Sequence, residues 1–267
     1  MVAYVVVDGK TVMSGSRMTI IAGVFSICAI LCYIVCFKLT SERVEVPASN
    51  QKISASAIFK SIFTNKALLG IIVAAIFVLL SQLTVLSLAG YVYPNVYGSA
   101  AAQSTASLLG TVVMLVVCAP FASKLSAKFG KKELAMGSSI FSALVWLVCL
   151  IWRPASVWGF VACYILANIG MGFFNTIIWA MITDVIDDAE VRNGVREDGT
   201  IYSVYSFARK LGQAFSSGLV GALLGIIGYT EATAFDPVVT RGIFNMACIA
   251  PSSALSASCW HWPSSTR

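Results

Sequence analysis

Trp179-Ala-Met-Ile-Thr-Asp-Val-Ile-Asp-Asp-Ala-Glu190, followed after a short gap by Arg196-Glu-Asp-Gly-Thr-Ile-Tyr-Ser-Val-Tyr-Ser-Phe-Ala-Arg-Lys-Leu-Gly-Gln-Ala-Phe215, decides how this chain is read. It reads as a charged loop between two long apolar segments. Its second half carries Arg209 and Lys210 into sequence that otherwise suits a bilayer. Cations inside a span are costly, so they usually mark a binding site or a water-filled path.

Outward from that stretch, the chain has 267 residues, 58% of them hydrophobic and only 11% charged. Its mean hydropathy is +0.85. A soluble globular domain carries about 25% charged residues, so that class is excluded. Apolar runs recur along the chain, and a run of about 20 residues crosses a bilayer as a helix. The expected fold class is all-α: a polytopic membrane helical bundle of six to seven spans.

The spans are expected near 18–39, 67–91, 101–123, 134–152, 157–183 and 202–229, with a weak candidate at 242–260. Residues 40–66 form a polar connection whose middle, 53–63, is mildly amphipathic and suits the membrane surface. The chain therefore divides into 1–39, 40–66, a bundle over 67–260, and a tail, 261–267. The opening Met1–Val7 reads as the stub of an earlier helix. Beyond Pro251, serine and proline take over from apolar residues, which predicts an aberrant last helix, from either a change of reading frame there or a natural polar ending.

A net charge of +6 raises the question of nucleic acid. Its distribution excludes that partner, because the basic residues sit in short connections, where charge sets orientation. Connections 38–66, 124–132 and 192–210 hold thirteen lysines and arginines, against four in the alternate connections. The long charged loops are therefore cytoplasmic, and the chain is a multi-pass protein of the plasma (inner) membrane, in contact with lipid. No cleavable signal peptide is visible: no basic region precedes the apolar start.

Cys28, Cys32 and Cys36 share one helix face, but no histidine or carboxylate accompanies them, so small packing residues are expected rather than a metal site. His261 lies in a Trp-His-Trp tail with no constellation around it. Gly218, Gly221, Gly225 and Gly228 form a stripe suited to close helix packing. A span starting near Thr200 puts Lys210 about 15 Å deep. Leu211–Tyr229 is long enough to span without it, which would leave Arg209 and Lys210 as interfacial anchors.

Trp179, Asp184, Asp187, Glu190, Arg196, Asp198, Gly199, Tyr202, Ser203, Lys210, Gly212 and Ala214 together resemble a motif of the glycoside–pentoside–hexuronide:cation symporters. These are the melibiose permease-like branch of the major facilitator superfamily. Weaker agreement at Tyr91–Gly98, Lys128–Lys132 and Leu39–Val44 extends the register over 18–250, as helices six to twelve of a twelve-helix protein. Asp188-Ala189 stands where the family usually has Tyr-Gly, and Asp198 replaces its usual glutamate.

The resemblance implies a sugar or glycoside substrate, a coupling cation (H⁺ or Na⁺) and no other cofactor. It implies that Lys210 faces the central cavity. Asn175 and Trp179, at i and i+4, then offer an amide and an indole to a sugar, or else serve packing or lipid contact. Ser206 shares the face of Lys210. Asp184, Asp187, Glu190, Arg196 and Asp198 become a cytoplasmic gate paired with the other half, or stay solvated charges worth little each.

Family helices one to five have no counterpart here, and the coupling-cation carboxylates come mainly from that half. The expected function is a C-terminal portion of a secondary transporter that works by alternating access and is inactive alone. The alternatives are a half-transporter completed by a second copy or an N-terminal partner, and a sugar-binding membrane protein that does not transport. An enzyme is not expected: no His/Glu metal pair, Ser/His constellation or phosphate loop is present.

Overall fold

The structure, a computed structural model, describes residues 4–7, 10–13, 15–41, 66–193 and 198–260. The surface helix expected at 53–63, the gate residue Arg196 and His261 lie outside them. The chain divides into two compact units, Met1–Lys52 and Ile53–Arg267.

In the first unit, β1 (Tyr4–Val7) pairs antiparallel with β2 (Lys10–Met13), in a register that sets Val7 opposite Lys10. This corrects the helix-stub reading of the opening residues. Val5, Val6, Val7 and Val12 are β-branched and suit a strand, and the Asp8-Gly9 sequence between the two runs is a hairpin signal. Helix α1 (Gly15–Leu39) follows. It is apolar all round, as expected of a membrane span.

The second unit holds α2 (Lys66–Tyr91), α3 (Ala100–Val113), α4 (Ala119–Phe129), α5 (Lys131–Trp152), α6 (Val157–Asn193), α7 (Asp198–Ile227) and α8 (Pro237–Trp260). Wide π-type turns extend α2 over Val92–Val96 and join α3 to α4 over Met114–Cys118. Each is tied to a proline, Pro94 within the first and Pro120 just after the second. A proline lacks an N–H and crowds the preceding turn, and a local π turn relieves both. Six helices among the described residues are long and apolar enough to cross a membrane, so the chain is an all-α, multi-pass integral membrane protein.

Two boundaries differ from the sequence expectation. The basic loop at 124–132 contracts to a turn at Gly130, and α4 runs on to Phe129. Gly130 has φ +94°, a left-handed conformation that a side chain resists. The charged loop after Trp179 is instead the continuation of α6. Ile182, Val185, Ile186 and Ala189 are buried at helical spacing, while Asp184 and Asp187 are exposed. At its far end, α7 stops in a Schellman motif: Gly228 N–H donates to Gly225 O and Tyr229 N–H to Leu224 O.

The last helix also stays regular, through Pro251 to Trp260, where the serine-rich sequence predicted an aberrant end. Ser252, Ser253, Ser256 and Ser258 each donate to a carbonyl three or four residues back, which hides their polarity inside the helix. Ser81 on α2 donates to the Pro251 carbonyl at 3.4 Å.

In hydrocarbon, helices associate through close packing and interhelical hydrogen bonds rather than by expelling water. Helix α2 packs between α7 and α8, α5 between α6 and α8, and α3 beside α6. Ser142 on α5 donates to the Ala167 carbonyl at 2.8 Å, and Thr84 on α2 meets Ser216 on α7 at 3.2 Å. Such bonds contribute about 0.6 kcal/mol each.

The glycines that permit close approach are not the expected stripe. A Cβ on Gly170 would collide with Ser142 and the Ser138 carbonyl, and one on Gly212 would sit 3.2 Å from the Ile76 carbonyl. Added methyls at Gly218, Gly221, Gly225 or Gly228 would meet nothing within 4 Å. That stripe therefore lies against no part of this unit among the described residues.

Candidate functional site

Helix α7 has three distinct longitudinal faces. Ile201, Tyr205, Ala208, Gly212, Ser216 and Val220 form its buried seam. Phe207, Leu211 and Phe215 are exposed and apolar, as a lipid-facing arc should be. Between the two run Tyr202, Ser206, Arg209, Lys210, Gln213 and Ser217, which at 100° per residue occupy a single polar arc. Lys210 and Ser206 lie one turn apart on it. Lys210 is exposed, about 18 Å along α7 from its start at 1.5 Å per residue. Among the described residues no carboxylate lies within salt-bridge distance of it.

This polar arc borders Trp179 on α6. The Arg209 guanidinium sits over the Trp179 ring, 5.2 Å from its centroid, and 5.8 Å from that of Tyr205. Trp179 stacks on Tyr202 at 6.5 Å and meets Tyr205 edge-on at 5.5 Å. Cation–π contact of this kind is worth about 0.5–2 kcal/mol. It holds Arg209 against the rings, whereas Lys210 points away from the buried seam. Trp179 itself remains 46% exposed, so one side of the indole is accessible.

One turn up α6, Asn175 Nδ2 donates to Gln82 Oε1 on α2 at 3.2 Å. Gln82 continues toward a small cavity of about 60 Å³, walled by Trp146, Tyr164 and Asn168. The Trp146 side chain is 1% exposed, and its indole N–H meets no acceptor among the described residues. The arrangement can present amides, an indole face and one exposed ammonium to a polyhydroxylated solute. Gln82 and Tyr205 escaped the sequence reading. The signal for Gln82 was available, as an amide in the middle of an otherwise apolar span.

The acidic residues lie elsewhere. Lys131, the first residue of α5, grips both Asp184 oxygens at 2.7 Å. Asp184 thus has a partner within its own unit. Asp187, Glu190 and Asp198 are each engaged in further interactions. The Lys131–Asp184 side chains are 40% and 55% exposed, so solvent screens the pair and its coupling should be under about 1 kcal/mol. A double-mutant cycle of K131Q and D184N, followed by thermal unfolding, should return that small value. Coupling above about 2 kcal/mol would show the pair to be structural.

Apolar helices of membrane length, one of which carries an arc of polar side chains, define a multi-pass integral membrane protein. The chain belongs to the family described as MFS/sugar transport protein, which it matches over residues 1–260. That is a family of transporters, not enzymes. Among its relatives is an uncharacterized symporter, YjmB, of Bacillus subtilis, 30% identical over 89% of this chain and 51% of its own length. A glucuronide carrier protein homolog of Escherichia coli is 27% identical over 85% of this chain and 50% of its own. A putative sulfoquinovose importer of Salmonella typhimurium is 29% identical over 87% and 49%. The chain thus spans about half the length of the curated relatives it matches.

Proposed function

We propose that this chain forms the C-terminal half of an alternating-access sugar:cation symporter in the plasma membrane. Its substrate would be a sugar bearing an anionic group, a uronate or a sulfonate. The observation that carries this reading is the polar arc of α7, with the Lys210 ammonium beside the Trp179–Arg209 cluster. A cation at that depth is tolerated when it borders water or a charged ligand. An anionic sugar matches it, and two of the relatives are named for such sugars.

Asn175, Gln82 and Ser206 would hydrogen-bond hydroxyls while the open side of the Trp179 ring takes an apolar sugar face. Asp184, Asp187, Glu190, Arg196 and Asp198 would close the cytoplasmic side against the other half. H⁺ or Na⁺ would drive the cycle through carboxylates of that half. In this reading the site lies between two bundles, and one bundle alone encloses nothing.

Vesicles holding only this chain should therefore show no gradient-driven uptake of labelled methyl glucuronide. Co-production with the N-terminal half of the glucuronide carrier homolog should restore uptake sensitive to an uncoupler. Robust uptake by the chain alone would instead favour a second copy as the completing partner. Saturable binding without uptake in either setting would point to a sugar-binding protein that does not transport.

A further inference from the structure

A second pocket of about 400 Å³ opens at the end of the bundle opposite the basic turn at Gly130. Two of its walls carry guanidinium groups: Arg153, in the turn after α5, and Arg241, in the first turns of α8. Among the described residues no carboxylate lines it. The depletion of cations on this side makes their convergence informative. Of the four lysines and arginines that the charge count places there, two meet in one pocket.

The geometry is prepared. Arg153 sits in a left-handed backbone conformation, φ +48°. Its Nη2 donates to Asn245 Oδ1 at 3.1 Å and its Nε to the Leu150 carbonyl at 3.4 Å. Those bonds aim the guanidinium and leave other donors of its fork for a ligand. Tyr97 donates its hydroxyl to the Pro154 carbonyl at 2.9 Å and braces the same turn. Burial pushes that phenol up, so it stays a neutral donor. Arg241 makes no hydrogen bond to another side chain among the described residues. Val96 and Phe244 supply apolar wall.

The pocket lies where α5 and α8 meet, and the polar arc of α7 with Trp179 belongs to other helices. Trp152 and Trp158, both exposed, flank the turn as interfacial tryptophans do. We propose that this pocket binds the phosphate of an anionic phospholipid headgroup in the outer leaflet. Arg153 and Arg241 engage the phosphate oxygens, Thr240 bonds to the headgroup, and Val96 and Phe244 face the glycerol end of the tails. Bidentate guanidinium–phosphate pairing is the chemistry such a fork suits best. The site is independent of the transport reading.

The test is native mass spectrometry of the full chain, delipidated in mild detergent and titrated with phosphatidylglycerol or with phosphatidylcholine. Phosphatidylglycerol should be retained preferentially. R241Q should weaken its retention about fivefold, and R153Q with R241Q about 25-fold. R153K with R241K, which keeps both charges but loses the forks, should retain more than the double glutamine variant and less than the parent. Circular dichroism of each variant guards against unfolding, and R241Q, which breaks no side-chain hydrogen bond among the described residues, stays informative if the double variant misfolds. Equal retention of both lipids, or unchanged retention in R241Q, would overturn the proposal. Displacement of the lipid by millimolar inorganic phosphate would overturn the lipid as the source.

Discussion

Lys210→Gln, in this chain co-produced with an N-terminal partner half, is expected to lower uptake of an anionic sugar on the order of a hundredfold. Losing one member of a desolvated, hydrogen-bonded charge pair costs about 2–5 kcal/mol, and 2.8 kcal/mol is a factor of about one hundred. Glutamine keeps much of the length and polarity but removes the charge, so the loss should fall on binding of the anion. Lys210→Arg keeps the charge with a planar fork in place of a point, and should retain part of the activity. Ser206→Ala removes one neutral hydrogen bond, worth about 1 kcal/mol, or about fivefold. Radiolabelled uptake at several sugar concentrations separates affinity from turnover. Uptake by Lys210→Gln within about threefold of the parent would sink the assignment and leave Lys210 an interfacial anchor.

The second large effect is structural and has a sign that depends on position. Gly170→Ala places a methyl group onto Ser142 and the Ser138 carbonyl of α5, and crowds Phe141 at 3.3 Å. Backbone is part of that obstacle, so α5 and α6 must part and the Ser142–Ala167 bond is strained or lost. Overpacking of this kind costs about 1–3 kcal/mol. Gly221→Ala adds the same methyl where nothing lies within 4 Å, and by trimming unfolded-chain freedom it should stabilise by about 0.4–1 kcal/mol. A thiol-reactive dye reads both, because Cys149, Cys163 and Cys248 are buried until the bundle opens. Equal melting of the two variants would mean that helices α5 and α6 do not meet at Gly170.

Much of the architecture was legible in hydropathy alone. The apolar runs placed every membrane-length helix, because a bilayer requires about 20 apolar residues with all backbone groups bonded internally. The ends were harder. Charged residues after Trp179 looked like loop, yet Ile182, Val185, Ile186 and Ala189 carried a helical period that the charges obscured. The serines after Pro251 looked hostile to a span, but Ser252, Ser253, Ser256 and Ser258 return their hydroxyls to their own helix. The glycine stripe on α7 matched the packing pattern perfectly well, whereas the close contact on that helix is at Gly212. Spacing says which residues share a face, but not what that face meets.

From sequence alone came the class of protein, the family motif and the list of polar residues placed within spans, because burial in lipid penalises every charge that lacks a reason to be there. Tertiary structure decided the pairings. It set Arg209 over Trp179, joined Asn175 to Gln82 across 93 positions of chain, and tied Asp184 to Lys131 within one unit. It also drew Arg153 and Arg241 from distant turns into one pocket. Such contacts depend on which helices pack side by side, and helix periodicity holds no information on that choice.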